Sequence, residues 1–163
     1  MAGASSRGGV ARFEPRNPAW EKKSREIFER QSFMRMIGAR IAALSPGVCA
    51  LELPYRDDLC QQNVFLHGGV ITSIADTSCG IASSTLLSPD AGILSVEFKY
   101  NMMAPAAGER FIARGRVVRP GRTLTIAESA VFAVKDDVEI EIGRMLATMM
   151  FLDGKGAMTA QGA

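Results

Sequence analysis

The feature that most constrains the fold is one long apolar segment, Leu66 to Leu87, which has the length of a helix but no charged face. About five helical turns fit this length, whereas a strand so long is uncommon. Its residues are apolar or small, and Asp76 is its only carboxylate. Because a helix without a charged face is normally buried, the segment is predicted to be a central helix that other elements cover.

Six extended runs are available to cover this helix. Two of them, Ala39 to Leu44 and Val48 to Leu53, precede it and are separated by a Ser45-Pro46-Gly47 turn. The four that follow it are Gly92 to Asn101, Arg110 to Arg119, Thr123 to Val134 and Val138 to Leu152. Short connections between consecutive strands indicate antiparallel hairpins. The pattern predicts an α+β fold in which a curved antiparallel sheet of about six strands wraps the central helix.

Alternation in the last two runs predicts which side chains share a face. On the run from Thr123 to Val134, apolar residues lie on one face that only Glu128 interrupts: Leu124, Ile126, Ala130, Phe132 and Val134. The final run is predicted to place four apolar residues on one side: Ile140, Ile142, Leu146 and Met150.

The remainder of the chain is predicted to hold an N-terminal helix and two tails. Asn17-Pro18 is typical of a helix start, and Gly38 of the end of that helical segment. We predict a disordered tail at 1–16, one domain at 17–153 and a flexible tail at 154–163. The N-terminus lacks the apolar stretch of a secretory signal. A transit peptide is the alternative, which its arginines favour and Glu14 does not.

Composition excludes several classes of function. The net charge is +2. The sequence has no basic stripe with interleaved aromatic residues, which is the pattern that would predict nucleic-acid binding. No apolar run reaches the roughly 18 residues that a membrane-spanning helix requires, so stable membrane insertion is not expected. Cys49, Cys60 and Cys79 lack metal-type spacing. Three is an odd number for a disulfide framework, which favours reduced thiols in a cytoplasmic protein.

Asp76 is the first candidate site residue, because an ionised carboxylate in a buried helix must be paired, hydrogen-bonded or functional. Two interpretations stay open. Asp76 is either a structural residue bonded to a hydroxyl such as Thr72, Thr77 or Ser95, or a general base whose pKa burial raises toward neutrality.

His67-Gly68-Gly69 at the start of the helix gives a second candidate. Two glycines let a ligand approach the backbone closely, and the first amides of a helix have no partners within it. Such amides can stabilise negative charge that develops on a carbonyl oxygen. A plain loop-to-helix turn with a structural His67 is the alternative interpretation.

The spacing of the two candidates predicts an oligomer. Gly68 and Asp76 are eight positions apart, which is about 12 Å of helical rise. One ester-sized group cannot contact both on the same straight helix. If both act on one carbonyl they come from different chains, so a two-fold dimer with two equivalent interface sites is predicted.

These residues together resemble a known family. Gln61, His67-Gly68-Gly69, Asp76 and the strand residues Ser95-Val96-Glu97 resemble the motifs of hotdog acyl-CoA thioesterases. The most similar branch contains the phenylacetic-acid-pathway and 4-hydroxybenzoyl-CoA thioesterases, and the resemblance covers roughly Phe33 to Leu152. It implies a hotdog fold and dimers that join their sheets edge to edge and also pair into tetramers. It implies no metal or prosthetic cofactor, since CoA belongs to the substrate and water is the second reactant.

The resemblance also implies roles for individual residues. Gly68 would supply the oxyanion-hole amide, and Asp76 of the partner subunit would act as general base on water or as nucleophile; the sequence leaves both routes open. Gln61 and Ser95 would position the thioester or the water. His67 would orient the helix start and contribute to the oxyanion region.

Four further residues are expected to bind substrate. Gly69 and Asn63 lie beside the catalytic candidates, and Arg119 and Arg122 flank the Pro120-Gly121 turn, where family members hold the CoA phosphates with basic residues. An exposed hairpin with solvated charges is the alternative for the arginines.

The expected substrate is an acyl-CoA with a medium or long aliphatic chain. Met102, Met103 and the small residues near Gly80 suit such a chain, because methionine adapts to irregular shapes; they suit a core equally. Two other functions stay open. A hotdog enoyl-CoA hydratase pairs a catalytic His with an acid, and a non-catalytic acyl-CoA-binding protein needs no catalytic acid.

Overall fold

A six-stranded antiparallel sheet packs around the predicted central helix in the computed structural model, which describes residues 13–152. Most of the two predicted tails, 1–16 and 154–163, lies outside the described residues. The strands follow the order β1-β2-β4-β5-β6-β3, and the central helix α3 packs on five of them. This α+β arrangement is the hotdog fold, as predicted.

The strands lie close to their predicted positions. Their bounds are β1 Arg40–Ser45, β2 Val48–Pro54, β3 Gly92–Met102, β4 Arg110–Arg119, β5 Leu124–Lys135 and β6 Val138–Leu152. Asp136 and Asp137 form the tight turn between β5 and β6, with φ of 49° and 58°. Aspartate is among the residues that tolerate this left-handed region, so the polar triplet at 135–137 marks the hairpin.

The predicted N-terminal helix consists of two helices. They are α1 Trp20–Glu29 and α2 Ser32–Ile37, and Gln31 between them is extended, with ψ of 96°. The side-chain oxygen of Asn17 accepts a hydrogen bond from the Ala19 N–H, at 2.9 Å, in a turn that precedes α1. Gly38 ends the segment with φ of 83°, the left-handed conformation typical of a helix C-terminus.

Helix α3, Gly68–Ser84, is more fully buried toward its C-terminal end than toward its start. An open stripe runs along one side from the first turn to Gly80 and consists of Gly69, Thr72, Ser73, Asp76 and Gly80. The opposite side is very close to the sheet. A Cβ on Gly115 of β4 would collide with the main-chain carbonyl of Ser78, so glycine is required where helix and strand meet.

The faces of β5 and β6 differ from the expectation. Leu124, Ile126, Ala130 and Phe132 share a face, as predicted, but it is the outer face of the sheet, whereas Val134 is fully buried. The side chains toward α3 are Thr125, Ala127, Ser129, Val131 and Ala133. Small residues are needed there because α3 lies so close.

The predicted single apolar side of β6 is wrong. Ile142 is buried, whereas Leu146 lies exposed on the outer face. Val131 pairs with Gly143 and Phe132 with Glu141, so Ile142 is an extra residue opposite this step. A bulge of this kind shifts the alternation by one residue.

Glu128 interrupts the apolar outer face of β5 because it pairs with Arg116 across the strands, at 2.7 Å. Arg114 and Glu139 form a second outer-face pair at 2.6 Å. In the described part of the chain, no helix has both the length and the apolar character that a membrane crossing needs.

Candidate active site

Asp76 lies on the open stripe of α3, directly opposite the first residues of β3. The Ser95 hydroxyl donates a hydrogen bond to Asp76 Oδ1 at 2.8 Å. Burial raises the pKa of the Asp76 carboxyl above its usual range, and the Ser95 bond opposes that rise. A carboxylate with a raised pKa and one fixed donor can accept a proton from a bound water.

A cavity of about 130 Å³ adjoins the carboxylate. We call it the acid pocket, and the residues that line it include Ile27, Gln31, Asp76, Gly80, Ile93 and Ser95. Apart from Asp76, Ser95 and the contacting pair Gln31 and Thr77, its walls are apolar or glycine. The sequence predicted Asp76 and Ser95 here, but nothing in the sequence pointed to Ile27 and Gln31 of the N-terminal segment.

The start of α3 is built around His67. Its Nδ1 accepts a hydrogen bond from the Gly69 N–H at 2.9 Å, so the imidazole caps the helix. The Nδ1 lone pair is therefore occupied by this bond. Among the described residues, the Gly68 N–H has no acceptor, which leaves this amide available to an incoming oxygen.

A second cavity, of about 270 Å³, lies beside this amide. We call it the glycine pocket, and its lining includes Gln61, Phe65, Gly68, Ile71, Tyr100 and Met102. The side-chain oxygen of Gln61 accepts a hydrogen bond from the Asn63 N–H at 3.1 Å, so the Gln61 amide group stays free to donate. The structure thus places Gln61 and Gly68 in one pocket, whereas Asn63 does not line it and contacts Gln61 through its main-chain N–H.

Two residues of the glycine pocket extend the sequence analysis. The Met102 side chain lies over Gly68, so a Cβ on Gly68 would come within 2.6 Å of the Met102 methyl carbon. The sequence alone left open whether Met102 belongs to the core or to a pocket. Tyr100 was not predicted at all. Its hydroxyl is buried without a hydrogen-bond partner among the described residues, and burial raises the pKa of Tyr100 to about 12.

One chain does not bring the two halves of the predicted site together. Gly68 and Gln61 line the glycine pocket, whereas Asp76 and Ser95 line the acid pocket, and no residue lines both. The eight-residue separation along α3 corresponds to about 12 Å. A single thioester carbonyl therefore cannot reach both groups of the same chain.

The basic hairpin lies at the Asp76 end of the molecule. Leu124, just after the turn, pairs with Met150, which pairs in turn with Leu94 beside Ser95. Arg119 and Arg122 are exposed, and neither has an acidic partner within 4 Å in residues 13–152. Both cations are free to bind an anionic group.

Comparison with known proteins identifies the relatives of this arrangement. Residues 63–140 match the family described as the Thioesterase superfamily. A thioesterase family protein from Silicibacter pomeroyi is 45% identical, with a TM-score of 0.80 over 82% of this chain and 98% of that one.

Two more distant relatives agree with this match. A Saccharolobus solfataricus protein named as a candidate esterase is 28% identical over 108 residues, which are 66% of this chain and 76% of that protein. The PaaI protein of the E. coli phenylacetic acid degradation operon is 15% identical, with a TM-score of 0.74 over 85% of this chain and 97% of that one. At that identity, PaaI supports the fold alone.

Proposed function

The chain belongs to the thioesterase superfamily and is a thioester hydrolase, and from this premise we propose that it hydrolyses acyl-CoA to free CoA and a carboxylic acid. The proposed acyl groups are medium or long aliphatic chains. The observation that carries the proposal is the Asp76 carboxylate, which is raised in pKa by burial and held by Ser95 at the mouth of an apolar pocket.

The proposed reaction uses this carboxylate and one helix amide. Asp76 takes a proton from water, and the resulting hydroxide attacks the thioester carbonyl carbon. The Gly68 N–H stabilises the negative charge on the carbonyl oxygen. The C–S bond then breaks, and CoA leaves as a thiolate that takes up a proton.

A covalent route requires the same groups. Asp76 itself attacks the carbonyl, CoA leaves, and water hydrolyses the mixed anhydride. A single turnover in ¹⁸O-labelled water separates the routes. The general-base route labels the released acid at once, whereas the covalent route leaves the first acid unlabelled if water attacks the Asp76 carbonyl, and places the label in Asp76.

The separation of the two pockets supports a site shared between two chains. Strand β3 lies at the edge of the sheet and pairs only with β6. Its side chains Leu94, Val96 and Phe98 are 44%, 52% and 43% exposed, which is unusual for large apolar residues on an unpaired edge. We propose that two β3 strands pair, so that Asp76 of each chain meets Gly68 of the other, and that such dimers can pair again.

Binding of the CoA portion is assigned to the remaining candidates. Arg119 and Arg122 hold its phosphates, and Gln61, Asn63 and Gly69 position the thioester region. We expect the enzyme to act in the cytoplasm, which the three free thiols support.

Complementation between two inactive variants tests both the activity and the shared site. Asp76→Asn removes the acid, and Gly68→Val places a branched side chain beside the helix-start amide, where it hinders the approach of the thioester and displaces the end of Met102. Each homodimer should be inactive toward octanoyl-CoA. Their mixed dimer holds one intact site, so hydrolysis should return to about half of the wild-type rate per mixed dimer.

The controls separate the proposal from its alternatives. Absence of complementation, with mixed dimers verified by two affinity tags, would place both groups in one chain and contradict the shared site. Wild-type protein that hydrates crotonyl-CoA but hydrolyses no acyl-CoA would contradict the reaction itself. Fully active Asp76→Asn protein would contradict the role of the carboxylate.

A further inference from the structure

Gly80 lies one helical turn beyond Asp76 and lines the same pocket. A Cβ placed on Gly80 would meet no atom within 4 Å. This is unusual in α3, where the neighbouring Cys79, Ile81 and Ala82 are buried against the core. A glycine in the middle of a helix costs about 1 kcal/mol relative to alanine. Space is therefore left open at this position although a larger residue would favour the helix.

The walls of the open space are mainly apolar beyond Asp76. Ile27 and Gln31 bound it from the N-terminal segment, and Ile81 and Ile93 form two of its sides. The Gln31 side-chain oxygen accepts a hydrogen bond from the Thr77 hydroxyl at 3.4 Å, so this polar group has a partner within the wall. Ile27 and Gln31 lie outside the matched family region, 63–140.

We infer that the acid pocket receives the far end of the acyl chain, and that Gly80 sets the longest chain accepted. The inference rests on the proposed function and narrows its substrate class to medium-chain acyl groups. The pocket volume is about 130 Å³. A cavity of about 150 Å³ holds one benzene molecule, so about six carbon atoms of an aliphatic chain fit past Asp76.

The chemistry of the pocket favours the acyl group over the CoA arm. The pantetheine arm carries two amides that need several hydrogen-bond partners. Beyond Asp76 and Ser95, the only polar side chains of the pocket are Gln31 and Thr77, and their bond to each other leaves the Gln31 NH2 group as the one side-chain donor without a partner there. The phosphates of CoA must also reach a basic surface, and no Lys or Arg side chain lines this pocket. An aliphatic chain requires neither.

The test is an acyl-length series on two Gly80 variants. Gly80→Leu fills the space, whereas Gly80→Ala changes the helix backbone equally and fills little. For Gly80→Leu, kcat/KM should fall at least about tenfold for octanoyl-CoA, the effect expected when apolar atoms no longer fit a pocket, and stay near wild type for butyryl-CoA. Gly80→Ala should lower kcat/KM for octanoyl-CoA much less than Gly80→Leu does, because one methyl group fills little of the space.

A compensating variant tests the pocket directly. Ile27→Ala shortens a side chain in the pocket wall, so the Gly80→Leu/Ile27→Ala protein should recover part of its octanoyl-CoA activity. Equal losses on butyryl-CoA and octanoyl-CoA would overturn the inference, because the position would then act on catalysis. A change of Gly80→Leu from dimer to monomer in light scattering would overturn it too, since the space would belong to a partner subunit.

Failure of the inference is distinguishable from failure of the proposed function. If wild-type protein hydrolyses acyl-CoA and Gly80→Leu leaves the length profile unchanged, the inference is wrong and the function stands. If wild-type protein hydrolyses no acyl-CoA of any length, the proposed function is wrong and the inference falls with it.

Discussion

The two halves of α3 have similar compositions but different surroundings. In the first half, the hydroxyls of Thr72 and Ser73 bond back to carbonyls of their own helix, both at 2.8 Å, and this side stays open. In the second half, Ser78 and Ser84 also contact carbonyls of their own helix, but in addition they bond to hydroxyls of other elements, at 2.8 and 2.9 Å. Small polar residues thus keep one half accessible and attach the other to the core.

The same contrast holds for two glycines. Gly80 has empty space beside it, whereas Gly115 has the backbone of α3 against it. Glycine composition alone therefore does not distinguish a pocket from a packing contact. Substitutions in the two regions should have different effects. Those on the open side of α3 should change turnover, whereas those on its packed side should change the free energy of unfolding.

The largest effect is expected at Asp76. Asp76→Asn should lower kcat on octanoyl-CoA by about a thousandfold, the middle of the range for general acid–base groups. The variant should be at least as stable as wild type at neutral pH, because a desolvated charge is replaced by a neutral amide. Chemical denaturation beside the kinetic assay checks both; a loss of stability would make Asp76 a structural residue.

Gly115→Ala should produce the opposite result in the buried half. Its Cβ collides with the Ser78 carbonyl, and because backbone must move, we expect a loss of about 3 kcal/mol in unfolding free energy. The folded fraction should keep normal kcat. Gly80→Ala is the matched control and should be about 1 kcal/mol more stable than wild type. Equal changes in unfolding free energy for Gly115→Ala and Gly80→Ala would contradict the assignment of Gly115 to a packing contact and Gly80 to a pocket.

Two neighbouring serines test the hydrogen bonds of the buried half. Ser83 Oγ is buried without a partner among the described residues, so Ser83→Ala should stabilise the protein by about 1 kcal/mol. Ser84 Oγ bonds to Ser24 and to the Ile81 carbonyl, so Ser84→Ala should destabilise it by about 1 kcal/mol. Thermal unfolding of both variants measures the difference, and effects of the same sign would contradict it.

The smallest expected effect is a shift of a pH profile. Ser95 lowers the pKa of Asp76, so Ser95→Ala should move the acid limb of kcat/KM to higher pH. Because the folded pKa of Asp76 is raised, its contribution to stability is complete at low pH and is lost as pH rises through that pKa. Activity has the opposite dependence, since the base must be ionised. If the acid limb of kcat/KM does not move in Ser95→Ala, the group that titrates there is not Asp76.

Most of the sheet could be predicted because the residues of its turns have strong local conformational preferences. The end of β4 was predicted from Pro120-Gly121, and the start of β6 from the triplet at 135–137. The break between α1 and α2 at Gln31 carries no proline or glycine, so only tertiary packing reveals it. The small inner face of β5 also depends on tertiary packing, since this strand lies against α3.

The candidate site was predictable only in its unusual residues. Asp76 was visible as the one carboxylate of an apolar helix, and the hydroxyl of Ser95 does bond to it. Met102 and Ile27 are ordinary apolar residues in the sequence. Their positions over Gly68 and in the wall of the acid pocket depend on contacts between elements far apart in the chain.

Strand β3 also affects how the protein behaves during production. It is eleven residues long and has one unpaired edge within a single chain. Such an edge is a template for adding any extended polypeptide, and Lys99 is its one cation that could discourage growth of an aggregate. A folded chain whose β3 edge is uncovered is therefore the form most prone to precipitate. Slow expression at low temperature should improve the yield more than added salt or stabilising ligands.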